Sequence, residues 1–307
     1  MAESGRYVHI VDDVPELNAL RKDGGGPVLV YSLEGFLDAG SATRIATQHL
    51  VASDQGRVVA SFDVDAFFDY RARRPGMTFA EHRYQDYDAP RLVVRLCHDS
   101  LGMPFLLMHG PEPDTRWEAF AAAVREVVET LDVRLSVSMG AVPMAVPHTR
   151  PVMVTNHSTS VDLLVQENIW KGEIRIPASA MSMLELRLGE WGHDAMGFVA
   201  HVPHYVANLD YPAASVKLLE SVEVVTGLQW ELAPLHVLAE SQATEIATQI
   251  EESDEGRAVV TGLEQQYDAF ATEEDTLPLA EERDLPTAEE LGAEFERFLA
   301  GLDTPED

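Results

Sequence analysis

Eight side chains have the types and spacing to do chemistry: Glu34, Asp38, Asp69, Arg71, Arg73, Arg74, His201 and His204. Glu34 and Asp38 bracket the loop Glu34-Gly-Phe-Leu-Asp-Ala-Gly40. Two carboxylates there could act as an acid pair or hold a magnesium ion. The simpler reading makes Asp38 the cap of a following helix, its oxygens accepting from free backbone N–H groups. A phosphate loop is excluded, because the loop lacks both the lysine and the glycine spacing. Asp69-Tyr-Arg-Ala-Arg-Arg-Pro75 is the concentrated basic patch of an acidic chain. Its guanidiniums could clamp a carboxylate or phosphate; with so few cations present, pairing with acids of the same fold or of a neighbouring subunit is preferred. His201-Val-Pro-His204 suggests metal or acid–base work. Pro203 prevents a helical i, i+3 ligand pair and no third ligand is evident, so histidines hydrogen-bonded in a loop are favoured. No metal, cofactor or catalytic residue is therefore assigned, and the eight side chains stand as lining for a candidate pocket.

Other polar positions are weaker. His98, His148 and His157 are isolated, and Cys97 lies in an apolar run that suits a small core residue. The sequence has no G-x-S-x-G elbow, P-loop, G-x-G-x-x-G or H-E-x-x-H. The single cysteine excludes a disulfide framework within one chain. A formal net charge of −30 repels phosphate backbones and anionic membrane surfaces. Residues 251–307 hold 19 acids and 3 bases, which suits a solvated helical surface or a dock for a basic partner. The N-terminus has no secretory pattern and no apolar run approaches a bilayer span, so a soluble cytoplasmic protein is expected.

The elements that must position these residues follow from periodicity. Val28–Leu33 reads as a strand, and Ala42, Ile45, Ala46, His49 and Leu50 form one face of a helix capped by Asp38 or Ser41. Arg57–Phe62 is another strand, and Arg91–Cys97 with Pro104–His109 an antiparallel hairpin. Trp117, Phe120, Val124, Val127, Val128 and Leu131 mark the clearest helix. Val133–Val137 predicts a strand ending in the glycine-containing loop Ser138–Ala141, with Pro151–Thr155 and Gly197–Ala200 as further strands. Pro177, Pro212 and Pro234 each suit the first turn of a helix. Alternation over the first 225 residues or so predicts an α/β fold: a mixed, mainly parallel sheet sandwiched by helices. The expected division is a core over 1–230 and an acidic helical extension over 231–307, packed on the core or on a neighbouring subunit. Within the extension Val260, Leu263, Tyr267 and Phe270 suggest one helix, Leu291, Phe295, Phe298 and Leu299 another, with an acidic linker over 271–286.

Several segments together resemble one family. Glu34-Gly-Phe-Leu-Asp-Ala-Gly-Ser-Ala42, the arginine-rich 69–75, Pro147-His-Thr-Arg-Pro151, and Gly197–Tyr205 followed by Tyr211-Pro212 are similar to segments of the proteasome assembly chaperone 2 family, in its actinobacterial branch. The likeness spans about Val28 to Gly227. It implies a phosphorylase/hydrolase-like fold, a homo-oligomer (a homotrimer among its forms), and help in assembling proteasome α-subunits; the missing catalytic motifs and the long acidic helical tail favour a role without enzymatic turnover. The alternative it leaves is a small-molecule hydrolase or phosphorylase-like enzyme, or a ligand sensor, using a pocket at the strand C-terminal ends. Some archaeal relatives end in a hydrophobic–tyrosine–any-residue tail; this sequence ends Leu302-Asp-Thr-Pro-Glu-Asp307, so a proteasome contact by that route is not expected.

Overall fold

The computed structural model describes residues 6–22, 25–35, 37–165 and 173–273. In chain order the elements are β1 (Val8–Ile10), α1 (Pro15–Lys22), β2 (Val28–Glu34), α2 (Ala42–Ser53), β3 (Arg57–Phe62), α3 (Val64–Phe67), β4 (Thr78–Ala80), β5 (Arg83–Gln85), β6 (Val93–His98), β7 (Pro104–Pro111), α4 (Trp117–Leu131), β8 (Leu135–Met144), β9 (Val154–Ser158), α5 (Ala180–Glu190), β10 (Ala195–Pro203), α6 (Pro212–Thr226), α7 (Ala233–Glu251) and α8 (Asp254–Glu273). Short 3-10 turns join β2 to α2 and β10 to α6. The chain divides into two compact units, Met1–Glu264 and Gln265–Asp307, so α7 and the first half of α8 belong with the sheet. The expected helix around Leu291–Leu299 and most of the expected linker lie outside the described residues.

Eight strands form one mixed sheet in the order β1-β3-β6-β7-β2-β8-β10-β9. The centre, β7-β2-β8-β10, is parallel throughout. Antiparallel strands flank it, including the expected β6–β7 hairpin and the edge strand β9. Parallel strands need helical crossovers that cover both faces. On one face Val28, Val30, Val137, Met139, Met196 and Phe198 pack beneath α2, α6 and α7. On the other, Leu29, Leu106 and Met108 pack beneath α4 and α5. Phe120, placed inward by the apolar spacing of α4, meets Phe62 and Phe67 at centroid distances of 5.8 and 5.9 Å. It is fully buried, and truncating such a side chain costs about 3–5 kcal/mol.

Two local expectations are corrected. Ser138–Ala141 is not a loop, because β8 runs on to Met144. Neighbours on both sides supply a ladder there, which outweighs the weak strand propensity of Gly140. Pro177 does not open α5. The helix starts at Ala180, where Ser179 makes a capping box with Ser182 and Glu112 Oε1 accepts the Ala180 N–H at 2.7 Å. Pro212 and Pro234 do stand in first helical turns. The short elements β1, α1, β4 and β5 carry too few residues to show a period.

Candidate functional site at the strand ends

Glu34, Pro111, Met144 and Pro203 end the four parallel strands along one edge of the sheet. In open α/β sheets ligands bind beyond this edge. The loop after β2 is pinned there from several sides. Asp38 bridges to Ala141 of β8. Its carboxylate accepts the Thr43 and Arg44 N–H groups at 2.8 and 3.1 Å, so it caps α2. Ser41 adopts a left-handed φ of 49° and makes no side-chain cap. Gly40 exchanges backbone hydrogen bonds of 2.7 Å with Ala207 and Tyr211, docking this loop on the one after β10. A Cβ at Gly40 would meet Tyr211 Cβ at 2.6 Å, so the approach depends on glycine.

The arginine segment splits into two kinds of residue. Arg73 turns inward and binds the Glu34 carbonyl at 3.2 Å, the Glu112 carbonyl at 2.5 Å and the Asp114 carboxylate at 2.7 Å. Its guanidinium lies 4.6 Å from the centroid of the Phe68 ring. Asp69 orders the turn, its carboxylate accepting the Arg71 N–H at 2.8 Å while Asp114 accepts the Asp69 N–H at 2.7 Å. Arg71 and Arg74 point to solvent, and among the described residues neither guanidinium takes a partner. Arg73 is thus a clamp across the ends of β2 and β7, and Glu34 contributes its carbonyl while its side chain stays exposed.

Across the edge, β10 carries the histidines. His201 Nε2 lies 2.8 Å from Thr155 Oγ1 of β9, while its Nδ1 is buried without a partner. Burial holds its imidazole below the usual range. His204 is exposed and packs edge-on to Tyr205 at 5.4 Å. Tyr205 OH accepts the His148 N–H and meets His148 Nδ1, each at 2.8 Å. Burial lowers His148 against the opposing pull of Glu264. Glu264 also binds Thr149 and, at 3.1 Å, Arg150. The edge therefore holds two groups: Glu34, Asp69 and Arg73 with Glu112 and Asp114, and His201 and His204 with His148, Tyr205 and Thr155. Asp38 belongs to the backbone of the loop that separates them.

Glu112, Asp114, Tyr205 and Glu264 escaped the sequence reading because isolated acids and tyrosines have no spacing to betray them. Gly35 was the available signal for Glu112: a Cβ there would stand 1.9 Å from Glu112 Oε2. Cys97 is a buried core residue as expected, its thiol pushed up to about 12 chiefly by burial. Among the described residues no group of three His, Cys, Asp or Glu side chains is placed to hold a metal, and no helix is long and apolar enough to cross a membrane.

A model of the PAC2 family matches residues 32–252, from the end of β2 through α7. The chain belongs to the PAC2 family. It is similar to a Mycobacterium tuberculosis protein of unknown function, Rv2714, with 44% identity over 89% of this chain and 92% of that one, at a TM-score of 0.81. A Corynebacterium glutamicum protein of unknown function shares 38% identity over 86% and 97%, also at 0.81. The M. tuberculosis proteasome-assembly chaperone homologue Rv2125 shares 31% over 76% and 99%, at 0.70. No curated protein matches. The mixed sheet and its helices are the architecture expected of the family.

Proposed function

We propose that this PAC2 chain is a self-associating assembly protein that holds proteasome-type subunits by its surfaces and does not act by turnover. The observation that carries this reading is an arm. β4 and β5 pair only with each other and stand apart from the main sheet. A two-stranded hairpin alone is marginal in water. This one leaves Met77, Phe79, Tyr84 and Tyr87 exposed, at 52, 61, 74 and 49%. Aromatic residues and methionine of this kind mark protein contacts. Residues 69–91 also carry five arginines against four acids in a chain of net charge −30. The arm therefore complements the acidic surface of a second copy, and a head-to-tail contact of this sort gives a ring where its rotation closes after a few copies. The similarity to a proteasome-assembly chaperone homologue supports proteasome subunits as the cargo; within this reading α-subunits are that cargo, a homotrimer is the carrier and the cytoplasm is its place. The acidic extension of that carrier, drawn from the sequence as residues 231–307, is taken in this reading as the part beyond Glu264.

Light scattering on the wild-type chain and on Phe79→Ser/Tyr84→Ser tests the reading. A trimer mass that falls to a monomer mass in a folded variant is expected. A wild-type chain that stays monomeric at micromolar concentration overturns the self-association. Recovery of proteasome α-subunits or half-assembled rings from cell lysate is expected in parallel, reduced by moderate salt or by removing Gln265–Asp307. Recovery of no proteasome component, under conditions that preserve assembly intermediates, overturns the cargo.

A further inference from the structure

The outer strands β3 and β6 carry helices on one face only. Phe62 of β3 points beneath α4, where it meets Phe120. Neighbouring residues of a strand point to opposite faces, so Ser61 and its register partner Val93 of β6 point the other way. The cluster beneath α2, α6 and α7 on that face takes Cys97 from β6 and no residue from β3. Val58 and Ser61 are left exposed. The roots of the arm rise over this bare strip and shape it into a groove of about 780 Å³. Val58 and Val93 lie along its floor, and Tyr70 and Tyr87, one on each root, are exposed at its walls. Tyr70 is fixed there. Its OH donates to the Asp65 carboxylate at 2.6 Å, and its ring packs edge-on to Phe68, the ring beneath Arg73, at 4.9 Å. Asp63 and Arg91 also line the groove, and among the described residues neither side chain takes a partner.

We propose that this groove receives the arm tip of a second copy, so that each chain gives its arm to one neighbour and its groove to another. The inference rests on the self-association proposed above and adds the surface that meets the arm. Three observations select the arm as the occupant. Phe79 and Tyr84 are paired across β4 and β5, with ring centroids 5.1 Å apart, and form a preassembled aromatic anchor in solvent. An anchor already held in place loses little freedom on docking. Neither ring lines the groove of its own chain, which therefore stands open to rings from outside. The charges also match. Ala80 pairs with Arg83, so Glu81 and His82 make the turn at the tip. Glu81 is exposed with only a 3.9 Å contact to His82, and Arg83 takes no partner among the described residues. The tip thus offers both signs of charge, the two that Asp63 and Arg91 leave unmet. Finally, tip and groove are different surfaces of one chain. A contact between them is heterologous, as a ring requires, whereas arm against arm is two-fold and stops at a dimer.

Complementation between two damaged copies tests this. Ser61→Trp fills the groove from an exposed position and leaves the arm intact. Phe79→Ser/Tyr84→Ser removes the anchor and leaves the groove intact. Each alone should self-associate about 30-fold or more weakly, the loss expected when central anchors are displaced. Light scattering should then find each as a monomer. Mixed, well above the concentration at which the wild type assembles, they should give a one-to-one dimer, because one chain still has an arm and the other a groove. Circular dichroism checks that each variant is folded. A monomeric wild-type chain removes the self-association and this inference with it. A wild-type oligomer whose mass persists in folded Ser61→Trp, or a mixture that stays monomeric, overturns the groove alone.

A second measurement decides if Ser61→Trp does not fold. Replacing Tyr84 by p-benzoylphenylalanine keeps an aromatic ring at the tip. Irradiating assembled full-length chains, with isotope-labelled and unlabelled copies mixed, should join position 84 to residues 58–65 or 87–93 of another copy. A cross-link from one arm to another arm, or to any other part of either chain, overturns the proposal.

Discussion

Arg73→Ala separates a clamp from a ligand-binding arginine. The side chain is one-third exposed and makes three hydrogen bonds, two to carbonyls and one to the Asp114 carboxylate, besides stacking on Phe68. Hydrogen bonds to a charged partner contribute about 1.5–3 kcal/mol each when buried, and the stack about 0.5–1 kcal/mol. Exposure discounts all of these, and water reaches the freed carbonyls, so the net loss is about 3 kcal/mol. In a unit of this size that lowers Tm by on the order of 10 °C. Arg71→Ala and Arg74→Ala should each stay within about 0.5 kcal/mol of wild type, because their side chains are exposed. Arg73→Lys should recover less than half, since an ammonium cannot fork across two carbonyls and a carboxylate. Urea denaturation followed by tryptophan fluorescence, with thermal melts, measures all four. Equal stability of Arg73→Ala and wild type, or losses of the same size at all three arginines, refutes the division.

Asp38→Ala removes two acceptors from the start of α2 and should cost about 1–2 kcal/mol, with Asp38→Asn intermediate; a neutral alanine would return Asp38 to ligand duty. Gly110→Ala should cost about 3 kcal/mol or more, or leave the chain insoluble, because φ is +140° and the new Cβ would meet the Arg91 carbonyl at 2.1 Å. Soluble expression and a urea melt check it. His109, His148 and His201 are all held below their usual pKa, chiefly by burial. Their contribution is complete above the unfolded value of about 6.5 and is lost as pH falls towards the folded values, because the unfolded chain binds protons the folded chain refuses. Acid also relieves the repulsion of a −30 chain, so the informative quantity is the difference from His201→Asn. The wild-type urea midpoint should drop more than the variant's between pH 7.5 and pH 5.5, and parallel behaviour removes His201 from the account.

The parallel core was legible wherever one period governed a long segment. Trp117–Leu131 shows its helix because seven of its residues are buried at helical spacing, and the sequence displays that spacing directly. Asp38 was legible as a cap because capping is local, decided within six residues of chain. The arm was not. Its strands are three residues each, and their aromatic residues look like a core rather than an exposed surface. The partners of Arg73 were also hidden, since Glu112 and Asp114 lie 39 and 41 residues away and meet it only once β2 and β7 pair. Ser138 was misplaced for a related reason. Gly140 suggests a turn to any local reading, and only pairing with β10, with the Asp38 bridge beside it, turns it into ladder.

The polar groups along the strand-end edge are used mostly on the fold itself. Asp38 serves a helix start, Arg73 joins two strand ends, Asp114 holds Arg73 and the Asp69 amide, and Glu112 meets the first amide of α5. Asp99, nearly buried at the β6–β7 turn, is engaged by three backbone amides in the same way. A pocket built for binding keeps some of its donors and acceptors pointed at open space. Here the large unengaged features are instead the aromatic arm and the exposed Arg71 and Arg74 beside it. Those features suit recognition by surface, where affinity comes from aromatic anchors and a charged rim. The edge then acts as a rigid base, and the Arg73 clamp becomes the part that fixes where the arm leaves the sheet. Arg73→Ala should accordingly weaken self-association as well as stability, whereas Asp38→Ala should lower stability and leave the oligomer mass unchanged under native conditions.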